Sequence, residues 1–109
     1  MKKLPPISPG TLLKEEFLAP MGITQHRLAS EIGVSVGRIS EIIRGRRAIT
    51  ADTDLRLCRY FGLSEGYWLR AQMLHDLGVA RPLMARTLAH IKPYRSQESG
   101  TSQPAGGAL

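Results

Sequence analysis

The chain has 109 residues, a length that predicts one domain with a modest core. Its 15 Lys and Arg residues outnumber its 9 Asp and Glu residues, and the net charge of +6 favours a polyanionic partner. No apolar run is long enough to span a membrane, and the N-terminus lacks the apolar stretch of a secretory signal. The single cysteine excludes an internal disulfide and a CxxC metal site. We therefore expect a cytoplasmic protein with no membrane partner.

Glycines, prolines and helix-capping residues divide the chain into short helices, and no stretch alternates long enough to predict a sheet. The first helix is expected to begin after Ser8 and to end before Pro20 and Gly22. Later helices follow the cap residues Thr and Ser and end at glycines. The predicted helices cover residues 9–18, 25–32, 36–44, 51–61, 65–77 and, more weakly, 82–91.

The two ends of the chain differ in composition from its middle. Residues 1–7 are predicted to be a flexible arm. Residues 93–109, rich in Gly, Ser, Thr, Gln, Pro and Ala, are predicted to be a disordered tail because they hold little to bury. Residues 8–92 between them are expected to form one domain.

The stretch TQHRLASEIGVSVGRISEIIRG, residues 24–45, has the pattern of a helix-turn-helix. Ala29 is small enough for two helices to cross closely, Gly33 permits a sharp turn, and Val34 fills the corner. Ile39 and Ile42 anchor the second helix to the core. The sequence therefore predicts an all-α, five-helix, lambda-repressor-like domain with an optional sixth helix.

Anchoring one face of the second helix leaves its other face for the major groove. Arg38 or Arg44 could read guanine, whereas Glu41 could accept from cytosine or orient a neighbouring arginine. Residues near helix N-termini and in the following loop suit phosphates. The alternative is an ordinary helical hairpin with a solvated charged face. The predicted DNA-binding residues are Thr24, Gln25, Ser35, Val36, Gly37, Arg38, Ser40, Glu41, Arg44, Arg46 and Arg47.

Gly37 conflicts with the helical pattern around it. Glycine costs about 1 kcal/mol in a helix interior. Here it either removes a reading side chain or lets the backbone approach DNA closely.

The fifth predicted helix is apolar on more than one side, which favours cover by a second subunit. Two-fold pairing would place two recognition helices roughly 34 Å apart on DNA. The alternative is that Tyr67 and Trp68 complete the core of the monomer. The predicted homodimer interface comprises Tyr67, Trp68, Leu69, Met73 and Leu74.

Catalysis has little support in the sequence. Asp52 and Asp54 are explained by the helix dipole, and Cys58 is expected in the core. The three histidines lack metal-ligand spacing, and no phosphate loop or nucleophile motif occurs. We expect neither an enzyme nor a cofactor nor a metal.

Three segments resemble the HigA-type (VapI-like) antitoxins: SPGTLLKEEFLAPMG, RISEIIRGRRAITADTDLRL and YWL. The resemblance covers about residues 7–77. It implies a dimer that binds palindromic operator DNA, represses its own operon and neutralises a RelE-like or HigB-like toxin that cleaves mRNA. Carried over by position, it also implies that the DNA-reading surface contains Gln25, Ser35, Gly37, Arg38, Ser40, Glu41 and Arg44. Gly37 departs from the family pattern, in which a polar side chain is frequent.

Two other functions remain open from the sequence. The chain could be a stand-alone, phage-type transcription repressor without a toxin. It could also be a toxin-neutralising protein whose DNA binding has decayed, for which Gly37 is the only hint. The arm 1–7 and the tail after Pro93 are both candidates for the surface that binds a toxin.

Overall fold

The computed structural model describes residues 7–95, which form helices and no strand, as the all-α prediction requires. Most of the predicted arm and tail, residues 1–6 and 96–109, lies outside the described residues. No helix in the described range is both long and apolar enough to cross a membrane. The helices are α1 (residues 9–21), α2 (Gln25–Ile32), α3 (Val36–Ile43), α4 (Ala51–Phe61) and α5 (Tyr67–Ala89).

Helix α1 runs past the end predicted for it. It opens with the α-helical turn Pro9–Leu12, widens into a π-helical segment Leu13–Leu18, and closes with Ala19–Met21. Pro20 lies inside the last turn, although proline lacks an N–H and its ring crowds the preceding turn. The π-helical segment directly before Pro20 already departs from the regular α-helical hydrogen-bond pattern. The helix therefore continues to Gly22, which has a φ of 67°.

The starts of α2, α3 and α4 were predicted well because each depends on local hydrogen bonds. The side chains of Thr24, Ser35 and Thr50 accept hydrogen bonds from backbone N–H groups at 3.0, 3.1 and 3.4 Å. Each hydroxyl thereby satisfies one of the free donors in the first turn of its helix. The helix-turn-helix and the start of α4 thus form as predicted.

The prediction of two separate helices over residues 65–77 and 82–91 is wrong. Helix α5 is continuous from Tyr67 to Ala89 and contains both Gly78 and Pro82. Gly78 does not adopt a positive φ, so it does not terminate the helix. The carbonyl of Gly78 is the one that residue 82 would bond in a regular helix, so Pro82 removes a single rung of the ladder without ending the helix.

The start of α5 also differs from the prediction, because its cap comes from another helix. Asp54 of α4 is buried, and its carboxylate accepts the backbone N–H groups of Gly66, Trp68 and Leu69 at 2.7, 2.8 and 3.1 Å. Ser64, the predicted cap residue, makes no such side-chain bond. A carboxylate at a helix N-terminus satisfies free donors and complements the helix dipole.

Each of the five helices contributes one completely buried side chain to a single core. These side chains belong to Leu13, Leu28, Ile39, Leu57 and Trp68, each with 0% exposure. Trp68 also packs against Phe17 at a ring-centroid distance of 5.0 Å. The side chain of Trp68 therefore lies in the core of one protomer, which corrects the prediction that it lies in a dimer interface.

Helices α1 and α3 meet at a backbone contact. A Cβ atom on Gly10 would lie 2.1 Å from the backbone oxygen of Ile42 and 2.8 Å from the Cα of Ile43. Only glycine permits this approach. The N-terminal turn of α1 thereby braces the last turn of α3.

Candidate nucleic-acid interface

Helix α3 has an inner and an outer edge that differ sharply in exposure. Ile39 and Ile42 are buried in the core. Gly37, Glu41 and Arg44 follow the i, i+4, i+7 spacing of the opposite edge, and all three are exposed. The structure thus places the centre of the predicted reading surface on the solvent side.

The other predicted DNA-binding residues surround this edge. Thr24 and Ser35 are exposed at the N-terminal ends of α2 and α3, where anions are favoured. Gln25 and Ser40 are half-buried. Val36 is also half-buried but packs against the core, so part of its side chain serves the fold.

Arg38 lies beside the outer edge and is not free. Its Nη1 donates to Oδ1 of Asp52 at 3.0 Å and, more weakly, to the hydroxyl of Thr53 at 3.5 Å. Only 30% of its side chain is exposed. The sequence pattern predicted that Arg38 faces outward but did not reveal this partner, which lies 14 residues away.

Three further cations lie at the end of α3 and in the loop after it. Arg47 pairs with Glu41, with Nη2 2.7 Å from Oε1. Arg44 and Arg46 are exposed, and no carboxylate among residues 7–95 lies within salt-bridge distance of either. These two guanidinium groups are available for an anionic partner without breaking an ion pair.

Arg56 is a structural support of the helix-turn-helix that the sequence analysis missed. Its Nη1 donates to the backbone oxygens of Ile32 and Gly33 at 2.7 and 3.3 Å, at the turn between α2 and α3. Its Nε donates to Asp52 at 2.8 Å. The i, i+4 spacing of Asp52 and Arg56 was a visible signal, but the contact with the turn was not. Arg56 and then Arg38 hold the pKa of Asp52 below its ordinary value.

A second polar contact joins α2 to α4. Glu31 accepts hydrogen bonds from the hydroxyl of Tyr60 and from Nε of Arg27, the latter at 3.2 Å. The bond from Tyr60 and then that from Arg27 lower the pKa of Glu31, and the bond to Glu31 raises the pKa of Tyr60. This contact and the Arg56 contact together hold the C-terminal end of α2 against α4.

The predicted dimer residues on α5 fall into two groups. Tyr67 is half-buried against Phe17, with ring centroids 6.1 Å apart, so it shares the core with Trp68. Leu69, Met73 and Leu74 are exposed. Further exposed apolar side chains continue down α5 and just beyond it: Leu77, Val79, Leu83, Met84, Leu88 and Ile91.

Comparison with known proteins agrees with this geometry. The Helix-turn-helix family matches residues 13–68. The chain is 51% identical over 78 residues to virulence-associated protein I of Dichelobacter nodosus, covering 72% of each chain. It is 36% identical over 88 residues to antitoxin HigA-1 of Vibrio cholerae, covering 81% of this chain and 83% of that one. The chain belongs to the HigA-type antitoxin family of helix-turn-helix proteins. Members of this family are DNA-binding regulators and not enzymes.

A solved HigA structure extends the likeness to three dimensions. The Pseudomonas aeruginosa antitoxin HigA, solved with the higBA promoter, superposes with a TM-score of 0.75 at 35% identity. The match covers 81% of this chain and 97% of that one. A HigA-type fold with an exposed α3 edge and free arginines is a DNA-binding helix-turn-helix.

Proposed function

We propose that the chain is an antitoxin that binds operator DNA as a homodimer and represses its own operon. It also neutralises a RelE-like or HigB-like mRNA-cleaving toxin, and it acts in the cytoplasm, where its operator lies. The observation that carries the DNA-binding part is the exposed edge of α3, with unpaired Arg44 and Arg46 at its end. The toxin partner is supported by the likeness to antitoxin HigA-1.

In this proposal α3 lies in the major groove with its N-terminal turns closest to the bases. Gly37, Arg38, Ser40, Glu41 and Arg44 then face base edges. The phosphate contacts come from the helix N-termini and the loop after α3, where backbone N–H groups and cations collect. These residues are Thr24, Gln25, Ser35, Val36, Arg46 and Arg47.

The proposed dimer uses the exposed apolar side of α5. Leu69, Met73, Leu77, Met84 and Leu88 follow one another at steps of four or seven residues, so they form one stripe along the helix. Nothing in the described protomer covers this stripe. Two copies packed through it would present two α3 helices to successive major grooves.

The base-reading part is tested with Arg44→Ala and Arg47→Ala. Arg44→Ala should weaken binding to operator DNA by about 1–3 kcal/mol and leave random DNA less affected. Arg47→Ala should weaken binding to all duplexes similarly and reduce the salt dependence. Gel shifts on both duplexes over a range of salt measure these effects. Equal losses on cognate and random DNA for both variants would contradict base reading by Arg44.

The toxin partner is tested by co-expression with the adjacent open reading frame. The antitoxin proposal expects a short, basic product that co-purifies with the chain and whose growth arrest the chain relieves. If no adjacent toxin gene exists and the chain still shifts upstream DNA, the stand-alone repressor is the better reading. If the chain binds a toxin but shifts no DNA even at low salt, its DNA binding has decayed.

A further inference from the structure

Asp52 holds one end of the Arg38 guanidinium and leaves the other end open. Nη1 of Arg38 donates to Asp52 and Thr53. Among residues 7–95, Nε and Nη2 of Arg38 donate to no acceptor. These two groups form the side edge of the guanidinium, a fork of parallel N–H donors. Arg38 therefore carries an oriented, unused pair of donors beside the outer edge of α3.

Asp52, which holds Arg38, is itself held in place by a second arginine. Asp52 lies in the first turn of α4 and shares Oδ1 between Arg38 and Arg56. Arg56 in turn grips the backbone oxygens of the α2–α3 turn. The chain of contacts from that turn through Arg56 and Asp52 returns to α3 at Arg38. Each link is a charge-assisted hydrogen bond, the stronger and more directional kind.

We propose that Asp52 is a specificity-determining residue that positions Arg38 to read a guanine without contacting DNA itself. The free Nε–Nη2 edge matches the O6 and N7 acceptors of guanine in the major groove. An arginine without this support could swing to any phosphate, which binds all sequences alike. The inference rests on the proposed binding of operator DNA by α3.

Two other roles of Asp52 predict different results. If its carboxylate only repels phosphates, removing its charge strengthens binding to every duplex equally. If it only ties α4 to the helix-turn-helix, its loss lowers stability and weakens binding to every duplex equally. Positioning of Arg38 alone changes the ratio between a cognate and a scrambled duplex.

The test is Asp52→Asn, which keeps the shape and one acceptor oxygen but removes the charge. The probes are a duplex copied from the DNA upstream of the chain's own gene and a scrambled duplex of the same composition. Affinity for the upstream duplex should fall by about fivefold or more, the lower end of one bidentate contact. Affinity for the scrambled duplex should stay or rise. In an Arg38→Ala background, Asp52→Asn should no longer change the ratio.

Glu31→Gln is the matched control, because Glu31 also accepts from an arginine and joins α2 to α4. It should change both duplexes equally. Arg38→Lys offers a second route if Asp52→Asn folds poorly: lysine keeps the charge but lacks the fork, so discrimination should fall while scrambled binding persists. Thermal unfolding of each variant reports its folded fraction.

The outcomes separate this inference from the proposed function. If the wild-type chain does not distinguish the two duplexes, operator binding fails and the inference fails with it. If the wild-type chain discriminates and Asp52→Asn keeps the full ratio, only the inference is overturned. An effect of Asp52→Asn that survives in the Arg38→Ala background would also overturn it.

Discussion

The helix-turn-helix and the distal part of α5, from residue 79 onward, bury their apolar side chains to very different extents. In α2 and α3 the inner faces are buried, and the N-termini are capped by Thr24 and Ser35. From residue 79 to residue 95 every residue is exposed. Leu83, within that stretch, has 78% of its surface exposed to solvent.

This difference shows where the protomer is complete and where it is not. A short isolated helix is only marginally stable in water, because most helical stability in proteins comes from packing. The helix-turn-helix obtains that packing within one chain. The distal part of α5 does not, and its exposed leucines and methionines are the surface that the proposed dimer would cover.

The largest expected effect is the difference in the free energy of unfolding between Ile39→Ala and Leu83→Ala. Ile39 is completely buried, so its truncation should lower the free energy of unfolding by about 2–5 kcal/mol. Leu83→Ala should cost less than about 0.5 kcal/mol in a protomer, since most of the Leu83 side chain is already exposed to solvent there. Urea unfolding measures both.

The dependence of such stability losses on protein concentration tests whether a second copy covers α5. If a second copy covers the α5 stripe, the cost of truncating one of its exposed members, as in Leu88→Ala, should grow as concentration rises and the dimer forms. Ile39→Ala should cost the same at low and high concentration when measured on the monomer. A wild-type chain that remains monomeric at micromolar concentration in light scattering would count against cover by a second copy.

Asp54 joins the two regions, and its loss is the next largest effect. Asp54→Ala leaves three backbone N–H groups at the start of α5 without their acceptor. We expect a loss of about 1.5–3 kcal/mol, the range for hydrogen bonds to a charged group. The exposed Asp76 on α5 provides the control, since Asp76→Ala removes a surface contact with Gln72 rather than a buried helix cap. Similar midpoints for the two variants in thermal unfolding would refute the capping role.

Gly37→Ala should move stability and DNA binding in opposite directions. A Cβ at this position would meet only the hydroxyl of Ser35, at 3.8 Å, so the helix should gain up to about 1 kcal/mol. If the bare backbone approaches the groove closely, the same methyl group should weaken operator binding. Unfolding and gel shifts on one preparation measure both quantities. Unchanged operator affinity would show that Gly37 does not lie in the interface.

The smallest expected effect is on acid stability. The lowered pKa values of Glu31 and Asp52 mean that the folded chain binds fewer protons there than the unfolded chain. Their contribution is complete above the ordinary values of 4.5 and 3.8 and is lost as the pH falls through the lowered ones. Both groups are exposed, so solvent screening keeps the effect small. The double variant Glu31→Gln, Asp52→Asn should show a flatter stability curve in acid; an unchanged curve would contradict this.

The sequence by itself determined the features that depend on neighbours within a few residues. Thr24, Ser35 and Thr50 were predicted as caps because a cap bonds its own first turn. The 3.6-residue period predicted which edge of α3 holds Ile39 and Ile42 and which holds Gly37 and Arg44. The family resemblance followed from such local patterns.

The tertiary structure alone decided the features that join residues far apart in the chain. The cap of α5 comes from Asp54, which lies on another helix, and the partner of Arg38 is 14 residues away. Neither contact leaves a periodic signal. Gly78 and Pro82 are helix breakers by local rules, yet α5 passes through both. Trp68 was assigned to a dimer because spacing shows which residues share a face but not what covers that face.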